Sequence, residues 1–220
     1  MSQAHQRAES LVPILRRATV LLTGIGWPAF ALTALLGKDI VMTLYGSAWL
    51  DCVPAIVPLA LATSVAMVFR YTPVALMAIG RPYLGAGPVV VTLLSRIAFA
   101  FVLFDGSLRT FAWAICLATL AAVPVMLMQQ RKHFGFGLRE LLRALRPSAL
   151  VTLCCVLACE ALRLLLPESL PPIARLLVMA LPLVVVWYAA LRLTRHEMLA
   201  EVNHIAGALK ARLSRLAGQR

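Results

Sequence analysis

Two arginines stand in stretches of sequence that otherwise carry no charge: Arg70, in the apolar run 52–80, and Arg96, in 82–104. A guanidinium presents a planar fork of N–H donors that matches the oxygens of a phosphate. Counted along a helix from the turn Gly80-Arg81-Pro82, Arg70 lies at roughly 15 Å and Arg96 at roughly 21 Å. Both depths fall inside a hydrocarbon layer about 30 Å thick. An arginine at mid-membrane costs about 2.5 to 3.5 kcal/mol, so it either faces a bundle interior or watery cavity, or snorkels and pairs locally. On two consecutive helices the pair would form a cationic patch suited to phosphate.

Little else could do chemistry. The sequence has no HExxH, no GxSxG, no P-loop and no converging pair of carboxylates, and Gly135-Phe136-Gly137 lacks the third glycine of a dinucleotide fingerprint. His5, His133, His196 and His204 lie outside the apolar runs, where a solvated or headgroup-facing imidazole is expected. Asp39, Asp51, Asp105 and Glu168 each sit beside an expected helix end, where capping is the ordinary role. Glu160 and Arg163, three residues apart, suit a local ion pair. Five cysteines include Cys154, Cys155 and Cys159 in one apolar block without a CxxC pair, and read as small buried side chains. No metal, no cofactor and no enzymatic activity is expected.

The elements that position the arginines follow from composition. Of 220 residues, 61% are hydrophobic and 14% charged, which excludes a soluble enzyme, a disordered chain and a disulfide scaffold. A membrane-crossing helix needs about 20 mostly apolar residues, and the chain has material for about six. The net charge of +12 lies between the hydrophobic blocks, which points to membrane orientation rather than to nucleic acid. The N-terminal residues 1–17 are polar for too long to be the charged start of a leader and are read as mature sequence.

The expected fold is therefore an all-α integral membrane protein with six transmembrane helices. Four lie within 18–130, at about 18–37, 54–79, 82–104 and 108–130, and two within 147–193. Lys and Arg number fifteen in the N-terminal segment, the 80–82 turn, the 131–146 connection and the tail, against three in the alternate loops. That asymmetry places both termini in the cytoplasm. Residues 131–146 carry leucines at 138, 141, 142 and 145, one helical face, and predict an amphipathic helix in the headgroup layer leading into the fifth span at Pro147. The tail 194–220 repeats the pattern with Leu199, Val202, Ile205, Leu209, Leu213 and Leu216. Glycine and proline are frequent inside the runs, which suits helices that rearrange and suits a static bundle nearly as well.

The succession Pro28-Ala29-Phe30, Gly37-Lys38-Asp39-Ile40-Val41, Leu44-Tyr45-Gly46-Ser47-Ala48-Trp49, Val53-Pro54 and Ala75-Leu76-Met77-Ala78-Ile79-Gly80-Arg81-Pro82 resembles polysaccharide export proteins of the Wzx type. These are flippases of the multidrug/oligosaccharidyl-lipid/polysaccharide (MOP) superfamily. The specific parts are the tyrosine-glycine-x-x-tryptophan element and the alanine-x-glycine-arginine turn, and the likeness is clearest over residues 14–90. The resemblance implies movement of a polyprenyl-pyrophosphate-linked oligosaccharide across a bacterial inner membrane by two six-helix bundles around a cationic cavity. It implies that this chain matches the back portion only, the fifth and sixth spans being an extra pair, and that an N-terminal half is missing or supplied by another subunit. By the same analogy Arg70 and Arg96 would bind the pyrophosphate, Tyr71 would stack on a sugar or simply pack, and Tyr45 and Trp49 would anchor the interface with membrane lipids. The competing expectation is an accessory membrane subunit of a polysaccharide-assembly complex that transports nothing.

Overall fold

The computed structural model describes residues 3–167 and 169–204, with side chains from Leu11 onward. Regular structure among the described residues is helical: α1 (Gln3–Leu35), α2 (Gly37–Leu44), α3 (Val53–Val68), α4 (Thr72–Ala78), α5 (Ala86–Leu103), α6 (Leu108–Phe134), α7 (Leu138–Leu165) and α8 (Pro172–Leu193). Short 3-10 turns occupy Ser47–Cys52 and Pro82–Gly85. Among the described residues six stretches are long and apolar enough to cross a membrane: Leu11–Leu35, Ser47–Ala78, Pro82–Leu103, Leu108–Phe134, Leu138–Leu165 and Pro172–Leu193. The chain is a multi-pass membrane protein, because only a helix satisfies every backbone group within one apolar segment.

The second crossing is broken where the sequence predicts continuity. Residues 69–71 form a turn between α3 and α4. Pro73 has no N–H to donate to Phe69, and the Phe69 carbonyl instead accepts from Thr72 N–H at 3.1 Å, the tighter 3-10 pattern. Arg70 sits in this turn. At the far end of α4, Gly80 adopts φ +74, where a side chain would be strained, and closes the helix with Gly80 N–H to Met77 C=O and Arg81 N–H to Leu76 C=O, each 2.9 Å.

The first helix is longer than expected, since α1 continues back through residues 3–17 and its apolar stretch begins at Leu11. Residues 138–146 are also no separate surface helix. They are the first turns of α7, which passes through Pro147 unbroken. Leu141, Ala144 and Leu145 pack in a buried cluster with Leu15, Phe69, Leu76, Phe134 and Phe136, so that the apolar face meets protein rather than headgroups. Leu138 and Leu142, on the same predicted stripe, remain exposed. Of the tail, residues 198–204 are helical, and Ile205, Leu209, Leu213 and Leu216 lie outside the described residues.

Helices pack as a row. α5 lies on α6, α6 on α3, α3 on α1, α1 on α7 and α7 on α8. One end of the bundle, here the basic end, carries Arg16, Arg81, Arg131 and Arg195; the other carries α2, the start of α6 and the start of α8. α5 stands at the edge of the row, with Pro88 its one buried residue.

Candidate functional site

A cleft of about 370 Å³ opens between α4, α5 and α6, and Phe69, Thr72, Pro88, Thr92, Met126 and Arg96 are on its walls. It exists because α4 and α5 both approach α6, and the break after Val68 lets α4 set off in its own direction. Thr92 returns its hydroxyl to the Pro88 carbonyl at 2.7 Å, the ordinary back-bond of a threonine one turn along a helix. Gln129, at the basic end of the cleft, donates its side-chain amide to the Leu84 carbonyl and ties the 3-10 turn before α5 to α6. The walls are otherwise apolar. Arg96 lies two to three turns farther along α5 than Pro88, and brings one permanent charge to the end of the cleft away from the basic end.

The two deep arginines do not meet in this cleft. Arg96 lines it, whereas Arg70 and Tyr71 do not; both are exposed on the turn between α3 and α4. The break resets the helical phase, so Phe69, Thr72 and Pro73 face the cleft while the residues between them point elsewhere. Behind the turn, Gln130 on α6 is fully buried and donates Nε2 to Thr72 Oγ1 at 2.8 Å. Its Oε1 accepts nothing from the described residues. Exchanging the amide's oxygen and nitrogen would only move the unpartnered atom to the other end.

Tyr45 and Trp49 flank the turn at Gly46, with ring centroids 6.0 Å apart at 50°. Both rings are exposed, as interfacial aromatics are. Asp39 does more than stand at a helix start: it is nearly buried and pairs with Arg175 at 3.2 Å, joining α2 to α8. Asp105 accepts from Ser107 N–H at 2.9 Å and from the Thr110 hydroxyl at 2.7 Å. These bonds to its charged form, the Thr110 contribution largest, hold the carboxyl down at about 2. Glu160 and Arg163 pair at 3.0 Å. Glu168 lies outside the described residues. Cys116, Cys155 and Cys159 are buried free thiols, Cys154 is exposed and Cys52 half-buried.

One polar constellation was missed from sequence. His196, read as solvated, is buried to 3% exposure in the loop after α8. Met198 N–H donates to its Nδ1 at 3.1 Å, so Nδ1 carries no proton and Nε2–H faces Ser148 Oγ at 3.0 Å. Ser148 Oγ meets Thr23 Oγ1 at 2.9 Å, and the Thr23 hydroxyl also reaches the Thr19 carbonyl at 2.9 Å. The chain of bonds links α1, α7 and the loop. Around it Arg16–Glu197 and Arg17–Glu201, both 2.6 Å, fasten α1 to the segment after α8. The Ser/Thr residues looked like ordinary helix positions. Their one sequence signal is that Thr19, Thr23 and Ser148 fall near the same end of two spans.

Comparison with protein-family models, with curated proteins and with solved structures finds no match.

Proposed function

We propose that the chain is part of a transporter that moves a lipid-linked oligosaccharide across a bacterial inner membrane without breaking a bond, with both termini cytoplasmic. The observation that carries this reading is the broken second crossing beside the cleft that holds Arg96. Interrupted helices with a charge at depth are how transporters build a site for a polar group inside the bilayer. The Wzx-type resemblance supports the same reading, and so does the uncovered face of α5, where a second bundle would sit to complete the cavity and alternate its access. In this reading Arg96 receives the pyrophosphate from within the cleft, and Arg70 meets it from the turn only when the other half closes the site.

The bareness of α5 also favours a second reading, a subunit that docks other membrane components and transports nothing. Expression in a flippase-deficient strain separates the two. Surface polysaccharide restored only when a matching N-terminal half is co-expressed supports the transporter; no restoration with either arrangement, in cells where the chain is inserted and stable, favours the docking subunit.

A further inference from the structure

α1 and α8 each pack on α7 and leave a slot between them of about 430 Å³, with Cys155 of α7 in its floor. Its walls are Ala29 and Leu32 from α1, Leu36 between α1 and α2, and Leu176, Ala180 and Trp187 from α8. Two polar bridges set its length and width. Toward the basic end, Trp187 Nε1–H donates to the Gly24 carbonyl at 3.0 Å. At the other end the Asp39–Arg175 pair holds α2 against α8. From Leu176 to Trp187 the slot runs about 16 Å along α8. The small side chains of Ala29 and Ala180 keep it open, and among the described residues no unpaired polar group lines it that would hold water.

A dry slot left empty forfeits dispersion contacts along all its walls. In a bilayer the material beside it is hydrocarbon chain. At the α2 end Lys38, two residues beyond the slot-lining Leu36, is exposed and has no carboxylate within ion-pair distance among the described residues. Arg175 follows next to Leu176, with Asp39 balancing it. The geometry points to a bound phospholipid: one acyl chain lies in the α1–α8 slot, and an anionic phosphate headgroup sits at Lys38 on the α2 end. This is a lipid site separate from the Arg96 cleft. It does not depend on whether the chain transports anything.

The test is native mass spectrometry of the full chain in mild detergent, titrated with phosphatidylglycerol and phosphatidylcholine in parallel. Wild type is expected to retain one phosphatidylglycerol in preference to phosphatidylcholine by about fivefold, the factor one basic residue near an anionic headgroup supplies. Ala180→Phe, which places a ring in the slot from an exposed position, is expected to abolish retention of both lipids. Val178→Phe, on the same helix outside the slot, is expected to leave retention unchanged. Lys38→Gln is expected to keep the chain in place and lose the fivefold preference. Glycerol phosphate, a headgroup without a chain, is expected not to displace the lipid. Equal retention of the two lipids by wild type, full retention by folded Ala180→Phe, or displacement by glycerol phosphate would each overturn the assignment. Should Ala180→Phe fail to fold, an unchanged preference in Lys38→Gln overturns it on its own.

Discussion

The imidazole of His196 occupies the space a side chain at position 24 would need: a β-carbon built on Gly24 would lie 2.6 Å from Cε1 and 3.0 Å from Nε2. α1 thus carries a notch, and the loop after α8 carries the ring that fills it. Trp187 closes the same notch by donating to the Gly24 carbonyl at 3.0 Å. Residues from three crossings and the following loop meet there, close to the basic end.

Gly24→Ala is therefore expected to destabilise the protein by about 1 to 3 kcal/mol, the usual cost of overpacking a filled site. The ring cannot move aside cheaply, because Ser148 and Met198 hold both its nitrogens. Thermal unfolding in detergent reads the loss. The double variant Gly24→Ala with His196→Ala should recover part of it, since the clashing ring is gone; a double variant no better than the sum of its parts would show that the methyl group collides with something else.

Protonation should open this latch. Burial pushes the His196 imidazole below its ordinary value, and the neighbouring Glu197 carboxylate offsets only part of that. Arg195, adjacent in sequence, and Arg16, already held by Glu197, bring positive charge to the same region, while α1 and α7 meet the ring with neutral groups, Gly24 and Ser148, with Thr23 behind Ser148. With the folded value depressed, the unfolded loop binds the proton more readily. The stabilisation is present above about pH 6.5, the unperturbed imidazole value, and is lost as pH falls from there toward the folded value. A proton on Nδ1 also sets a donor against Met198 N–H, which now needs an acceptor. Amide protection factors across residues 195–204, taken relative to an intrinsic exchange that itself slows at lower pH, are expected to fall as pH falls through this window. In His196→Gln that fall should vanish.

The latch has a strained hinge. Arg195 is left-handed at φ 48 and exposed, and it ends α8 with Arg195 N–H to Arg192 C=O at 3.2 Å and His196 N–H to Leu191 C=O at 3.0 Å. This is the position glycine usually takes at a helix end. Arg195→Gly is expected to stabilise the protein by about 1 kcal/mol, the left-handed penalty less glycine's greater freedom in the unfolded chain. Melting temperature should rise, and resistance of the loop to protease should rise with it.

The six crossings were readable because each is a long apolar run, and nothing but a helix can carry such a run through lipid. The break at residues 69–71 was not. Pro28, Pro58, Pro124, Pro147 and Pro182 all sit inside helices that continue past them, so a proline in a span does not announce which one ends a helix. The depth expected of Arg70 was counted along one continuous helix, which the break interrupts, and the face Arg70 presents depends on that break. His196 was misjudged for a similar reason: its burial depends on a missing side chain in the first crossing and a serine in the fifth, and neither is visible from its own neighbours. The 138–146 segment was amphipathic as read, but its apolar face found Phe134 and Phe136, which the sequence pattern could not choose over a membrane surface.

Arg96 and Arg70 differ in setting, and their variants should differ too. Arg96 lines the cleft between α4, α5 and α6, while Arg70 lies on the turn outside it. If the cleft receives the phosphate, Arg96→Gln removes the one permanent charge that the described residues place on its walls and is expected to lower export by the assembled transporter at least tenfold, the loss of roughly 1.4 kcal/mol or more that a charge-assisted contact supplies. Arg96→Lys should recover little, because an ammonium does not reproduce the two-pronged guanidinium contact. Arg70→Gln should lower export less, since a residue on the turn contributes only once the cavity closes. Export of surface polysaccharide, normalised to the amount of inserted protein, measures both. Equal export by wild type and Arg96→Gln would remove the cleft from the transport path.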